Sequence, residues 1–209
     1  MMSDKEVGGA NLETRPDSPE LVLNTLLEGN ARWATAMSIH PRTGFSLRHR
    51  LAYEGQKPFA AILSCADSRV PSELLFDVGL GDLFVVRVAG NSLGKLELQS
   101  LQYAAEQLEV GTILVMGHSS CGAVQAAVET YPEAPTAELL SAIYPAIEEA
   151  RDALARRGEE PGNRTALGKE VIDRHILSVV NQLRSTFKDI AIIGARYDLH
   201  NGRVMVLVK

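Results

Sequence analysis

The chain is poor in the features that mark several common protein classes. It has two cysteines, Cys65 and Cys121, and one tryptophan among 209 residues. So few cysteines exclude a disulfide-rich secreted scaffold. The pair is open to three readings: a single bridge, inert core thiols or metal ligands. In a mid-sized chain without a visible secretion signal, metal binding or catalysis is favoured over a bridge. No apolar run approaches the roughly 18 residues of a membrane span. Basic residues are outnumbered, 21 Lys and Arg against 26 Asp and Glu. The resulting net charge of −5 argues against nucleic acid as a partner, since phosphates demand a basic face. The N-terminal stretch is polar and lacks an apolar core followed by a small-residue cleavage site, so a cytoplasmic location is expected. A chain whose leader had been removed would read the same.

What remains is the composition of one ordinary globular domain, 45% hydrophobic and 22% charged, and two domains would be cramped in this length. Residues 1–17 read as a flexible tail rich in Asp, Glu, Gly, Ser and Pro, and residues 18–209 as a single domain. The domain opens with a helical arm over residues 18–54. Ser18-Pro19-Glu20 is an N-cap followed by Pro at the first helical position. Leu21, Leu26, Leu27 and Trp33 follow near helical spacing, and Gly29 is a candidate break or bend. A second short helix is expected from Ser46 to Tyr53, ending at Gly55.

Beyond Pro58 come short, uniformly apolar runs: "FAAILSC", "DLFVVRVAG", "TILVMG", "DIAIIGARYDL" and "GRVMVLV". Runs of this kind suit strands buried on both faces, as in a parallel sheet. They alternate with helical stretches, one amphipathic ("LELQSLQYAAEQLEV") and others near 122–130, 136–157 and 165–187. The expected fold is α/β, a mainly parallel sheet flanked by helices. "HNG" (His200-Asn201-Gly202) between the last two runs predicts an antiparallel hairpin at the C-terminal edge.

Ligands of such sheets gather at the carboxyl ends of the strands. Cys65 ends the first run and His118 the third, in "TILVMGHSSCGAV". Gly117-His118-Ser119 begins like a serine hydrolase's nucleophile elbow, but Cys121 stands where that turn needs a small residue. Neither His175 nor His200 lies in a convincing catalytic loop downstream. Two thiolates and an imidazole make instead a borderline-soft ligand set suited to zinc. Three protein ligands are the catalytic pattern, which keeps a fourth position open. Asp67 and Arg69 follow within four residues of Cys65.

"SCADSRVP" together with "GHSSCGAV" resembles the paired signature of the β-class carbonic anhydrases, in their plant-like branch. The likeness runs on through "LLEGNARW", "GDLFVVRVAGN" and "EVIDRHILSVVNQLRS". The resemblance implies one zinc ion per chain, held by Cys65, His118 and Cys121. It makes Asp67 and Arg69 a dyad in which Arg69 pairs with Asp67 and Asp67 accepts a hydrogen bond from zinc-bound water or hydroxide. It assigns a pocket to Gln56, Phe84, Tyr103 and the backbone N–H of Gly122. For Phe84 and Tyr103 core packing is the competing reading; for Gln56 it is a surface position, and for Gly122 a tight turn. Val78 departs from the family, many bacterial members carrying Gln there, which bears on local hydrogen bonding or subunit contacts.

The activity implied is zinc-dependent, reversible hydration of carbon dioxide to bicarbonate and a proton by zinc-bound hydroxide. The alternative is a noncatalytic zinc-stabilised module that senses or binds bicarbonate. The intact dyad speaks against it, since purely structural sites more often close with a fourth Cys or His. A homodimer or a multiple of it is expected, with residues 18–37 crossing the interface.

Overall fold

Five strands form one sheet in the order β2-β1-β3-β4-β5 in a computed structural model that describes residues 15–133, 138–160, 162 and 164–209. Strands β1 (Ala60–Cys65), β2 (Leu83–Val88), β3 (Thr112–His118) and β4 (Ala191–Tyr197) are parallel, and β5 (Val204–Val208) pairs antiparallel with β4. The expected tail falls almost wholly on residues 1–14, and part of the expected 136–157 helix on 136–137; both lie outside the described residues.

The central strands alternate between two apolar layers, which explains why they read as continuous runs. Ala61, Leu63 and Cys65 of β1, with Ile113 and Val115 of β3, face one layer. That layer is roofed by α4 (Lys95–Gln107), α5 (Gly122–Thr130), α7 (Tyr144–Arg156) and α8 (Arg164–Thr186). Ile62, Leu114 and Met116 face the other, packed under α1 (Pro19–Ala34) and α3 (Ser72–Leu75). The chain leaves β1 toward β2 on one side and β3 toward β4 on the other. The ends of β1 and β3 therefore flank the topological switch point, where open α/β sheets bind ligands.

Three expectations need correction. The run in β2 was expected to be buried on both faces, but β2 is an edge strand and only half-buried beyond Leu83. The apolar face of α1 is Val22, Leu23 and Leu26, while Leu21 is 51% exposed. The "HNG" signal sits inside a longer connection running from Tyr197 to Val204, closed by the Gly202 N–H donating to Asp198 O at 2.9 Å. By contrast α1 does start at Pro19 with the Ser18 cap, and α2 (Phe45–Glu54) does stop at Gly55, whose φ of +81° favours glycine.

Gly29 neither breaks nor bends α1; it allows α1 to touch α3. A Cβ there would lie 1.7 Å from the carbonyl oxygen of Phe76, a backbone atom that cannot swing away. The next residue, Asn30, clamps the same joint, donating to Leu75 O and Gly202 O and accepting from the Val204 N–H at 2.8 Å. Buried Asp77 secures the exit from α1, accepting from Arg32 Nε (2.6 Å) and from the Ile39 and His40 N–H groups. Burial would raise its carboxyl, but these donors prevail and hold it below its ordinary value. Val78, the departure noted above, packs in the core beside them and leaves no polar group to satisfy.

Gly29→Ala should therefore destabilise the fold by about 2–3 kcal/mol through overpacking against backbone. Gly168→Ala is the contrast: its Cβ meets nothing within 4 Å inside α8, so the helix should gain up to about 1 kcal/mol. Urea unfolding of both variants measures the difference, and equal midpoints would refute the close-approach account.

Candidate metal centre

Strands β1 and β3 are neighbours, paired at Ser64 with Met116, so Cys65 and His118 emerge side by side at the same end of the sheet. Past His118 the chain makes one tight reversal, Ser120 taking φ +55°, and delivers Cys121 as the N-cap of α5. The donor atoms of Cys65, His118 and Cys121 all lie within 4.8 Å of one another, and all three residues are buried. Among the described residues this is the one such cluster found.

The sulfurs of Cys65 and Cys121 are 4.0 Å apart. That is about twice a disulfide bond length and close to the sulfur–sulfur edge of a tetrahedron with ~2.3 Å metal–sulfur bonds. The Nδ1–H of His118 donates to the carbonyl of Ser119 at 2.9 Å, which fixes the tautomer with the lone pair on Nε2. That Nε2 is buried and has no hydrogen-bond partner. A lone pair and two sulfurs converging from three buried residues fit one borderline-soft divalent cation, zinc above all.

The surroundings favour negative charge on sulfur. Cys65 is lowered, first by the hydrogen bond with the Cys121 thiol and then, against burial, by the backbone N–H groups of Asp67 and Gly90. The Gly90 N–H lies 3.3 Å from Cys65 Sγ. Cys121 is raised, chiefly by the sulfur of Cys65 beside it and then by burial. The Ala123 and Val124 N–H groups at the start of α5 pull it the other way.

Beside this cluster Arg69 grips Asp67 by Nε (2.9 Å to Oδ1) and a terminal nitrogen (2.7 Å to Oδ2). The guanidinium holds the Asp67 carboxyl far below the usual carboxylate range. Asp67 Oδ2 is 3.8 Å from His118 Nε2, so this carboxylate borders the cluster. Gly122, exposed at the head of α5, has ordinary helical neighbours and open space where a Cβ would be. The left-handed turn is made by Ser120, so a tight turn does not explain this glycine.

Gln56, Phe84 and Tyr103 are not brought to the same place. Phe84 is in register with Ala61, about 13 Å along the strand from Cys65. Tyr103 lies tilted against Phe84 with ring centroids 6.1 Å apart and is 50% exposed. Gln56 is exposed ahead of β1, lining a groove with Arg50, Lys57 and Gln107 at the far end of the sheet. None of the three is buried core, and none reaches its own chain's metal cluster.

Sequence reasoning missed Arg87. Its Nε donates to Cys65 O at 3.1 Å and a terminal nitrogen to Asp67 O at 2.6 Å, so it fixes the loop carrying both Cys65 and the dyad. The signal was a lone charge inside the run "LFVVRV". The hydrolase reading finds no support: Ser119 Oγ accepts from the Leu199 N–H at 2.9 Å. His175 contacts Ser92 instead, and His200 pairs with Asp198 on the surface.

Comparison with known proteins points the same way. The family model described as carbonic anhydrase matches residues 60–204. Carbonic anhydrase 2 of Mycobacterium tuberculosis is 36% identical over 194 residues, covering 90% of this chain and 93% of that one. A carbonic anhydrase of Mycolicibacterium smegmatis is 34% identical over 201 residues, with 90% and 92% coverage. The solved Coccomyxa β-carbonic anhydrase, in complex with acetazolamide, is 28% identical with a TM-score of 0.63, covering 90% of this chain and 86% of that one.

Elemental analysis of the purified protein should find one zinc per chain. Cys121→Ser should lose most of it, because an alcohol is a poor substitute for a thiolate ligand. Full retention of zinc in the variant would remove Cys121 from the ligand set.

Proposed function

The chain belongs to the β-class carbonic anhydrases, and from that premise we propose roles for its residues in the zinc-dependent, reversible hydration of carbon dioxide to bicarbonate and a proton. Cys65, His118 and Cys121 hold the zinc. The observation that carries this is the buried, unpartnered His118 Nε2 facing two sulfurs, with the Asp67 carboxylate at its border. Zinc, when bound, acts as a Lewis acid that makes a water acidic enough to supply a nucleophile near neutral pH.

The chain's own groups do the rest. Asp67 is ionised and can only accept, so it takes a hydrogen bond from the nucleophile and aims its lone pair at the substrate carbon. Arg69 keeps Asp67 in that role by holding both carboxylate oxygens; released, the carboxylate is near enough to the cluster to compete for the open metal position. The Gly122 N–H, unobstructed by a side chain, donates to a substrate oxygen as charge develops on it.

The remaining pocket groups call for a second copy of the chain. Gln56, Phe84 and Tyr103 match pocket positions yet sit away from their own cluster. A neighbouring subunit would supply them, the amide of Gln56 donating to substrate and the two rings walling a pocket for an uncharged gas. Exposed apolar residues favour such a contact: Met37, Ile39, Phe45 and Tyr53 are all on the surface of one chain, and α2 buries no residue in it. The arm thus contributes to assembly through its second half, while α1 is anchored to its own sheet. Two unpaired thiols suit a reducing compartment such as the cytoplasm.

Light scattering at micromolar concentration should find a homodimer or a multiple of it. A fully active monomer would overturn the shared pocket.

The hydration rate is expected to rise from about pH 6 to pH 9, measured in saturating buffer so that proton transfer is not limiting. Cys65 and Cys121 as thiolates cancel the ion's two charges, so the water is less acidic than the ~7 of a three-histidine site. Asp67 contributes no limb of its own in this window. Its pKa is depressed far below it, so the carboxylate is ionised throughout and protonates only in strong acid. Arg69→Ala should keep its zinc and its fold, since the Arg69 side chain is 56% exposed and exposed pairs add little stability. It should lose at least about tenfold in rate. A flat profile in the parent, or an unimpaired Arg69→Ala, would defeat this role for the dyad.

A further inference from the structure

The buried face of α8 is Leu167, Val171, Ile172, His175, Ile176, Val179, Val180 and Leu183, apolar except at one position. His175 is 2% exposed. Its Nε2 lies 3.4 Å from the Ser92 hydroxyl, and its Nδ1 has no protein partner. Burial lowers it to about 4, the Gly90 backbone pulling weakly the other way, so the ring is neutral at working pH. An unpaired buried polar atom is costly. A leucine would pack here without that cost, so the imidazole is not explained by the core.

What His175 touches is the turn that follows β2. This turn carries two consecutive left-handed residues, Gly90 at φ +69° and Asn91 at φ +47°. Asparagine tolerates this conformation better than other residues with a Cβ, and the turn is held in that shape by close contacts on both sides. Buried Asn91 and Ser92 wedge it between α8 and β3: a Cβ on Gly117 would meet Asn91 Oδ1 at 3.2 Å and Ile176 at 2.7 Å. The reward for this shape is one contact, the Gly90 N–H aimed at Cys65 Sγ from 3.3 Å.

We propose that His175, with Ser92, is a positioning residue for the metal centre: it braces the Ala89–Ser92 turn, keeps the Gly90 N–H on the Cys65 sulfur, and thereby sets how strongly that sulfur donates to the metal. An N–H donor withdraws electron density from a thiolate, so the metal it binds stays more electrophilic and polarises water better. Without the brace the turn relaxes, the N–H···S contact lengthens and the sulfur becomes a stronger donor. The inference rests on Cys65 being a ligand, as proposed above.

The test is cobalt(II) exchanged for zinc in the intact protein, because sulfur-to-cobalt charge-transfer absorption reports thiolate donor strength. His175→Phe replaces an unpaired imidazole with an apolar ring and should keep the fold and one metal per chain. Its charge-transfer band should move to longer wavelength, and the hydration rate of its zinc form should fall about tenfold. Ser92→Ala should move the band the same way by less, and His175→Gln, whose amide can still reach Ser92, should move it part of the way back. Bands at the parental position in both His175→Phe and Ser92→Ala overturn the proposal. If Phe is not accommodated, Ser92→Ala alone decides it. A parent protein with no sulfur-to-cobalt band would instead overturn the ligand assignment itself, and this inference with it.

Discussion

Two sulfurs and one imidazole lone pair are held together by buried side chains at the end of the sheet, and much of the surrounding structure serves that arrangement. In the absence of metal the group is uncomfortable. Two thiolates 4.0 Å apart would repel, so the pair is stabilised with a single negative charge and one proton between the two sulfurs. The imidazole nitrogen beside them has nothing to bond. A divalent cation resolves both problems at once: it neutralises the pair, displaces the shared proton and fills the lone pair's direction. Protons and metal compete for the same atoms, so acid weakens the site by reprotonating sulfur.

The fold supplies this convergence through strand order. Because the sheet is wound outward in both directions from the gap between β1 and β3, the loops at that gap diverge and leave a crevice above the strand ends. Cys65 and His118 project into it from adjacent strands, and Cys121 enters from the head of α5, where free N–H groups face its sulfur. Rigidity then comes from the loops' own bonds. Arg87 holds the carbonyls of Cys65 and Asp67, Arg69 holds the carboxylate of Asp67, and the turn at Gly90 closes over Cys65.

The legible part of this design is what a single sequence position can carry. Cys and His at the ends of apolar runs, and an Asp and Arg within four residues, name their chemistry by residue type. The alternation of short apolar runs with amphipathic stretches gave the sheet and its flanking layers for a physical reason: strands covered on both faces cannot show a polar side. The same rule failed for β2. An edge strand that is half-covered reads like a central one, because its apolar residues still pack against the chain's own core and only the missing neighbour strand leaves them part-exposed. Leu21 misled for a related reason, lying one position off the face that Val22, Leu23 and Leu26 bury. Arg87 and His175 were illegible because their partners are carbonyls and turns twenty or more residues away. No local spacing encodes such a contact.

The second copy of the chain proposed above would account for both the half-covered edge and the scattered pocket residues. Within a single chain the metal cluster, the dyad and Gly122 form an open half-site at the carboxyl end of the sheet, whereas Phe84 and Tyr103 lie along the β2 edge and Gln56 near the opposite end. A small uncharged substrate offers little to grip, so its pocket must be closed on several sides to hold it against the nucleophile and exclude bulk water. A fold of this size with its core filled by two apolar layers has few side chains left over to build those walls. Drawing them from a second copy solves the shortage and covers the apolar surface of α2 and β2 in the same step. On this reading assembly is part of the catalytic apparatus, and the exposed aromatic and aliphatic groups of one chain are the inner wall of another's site.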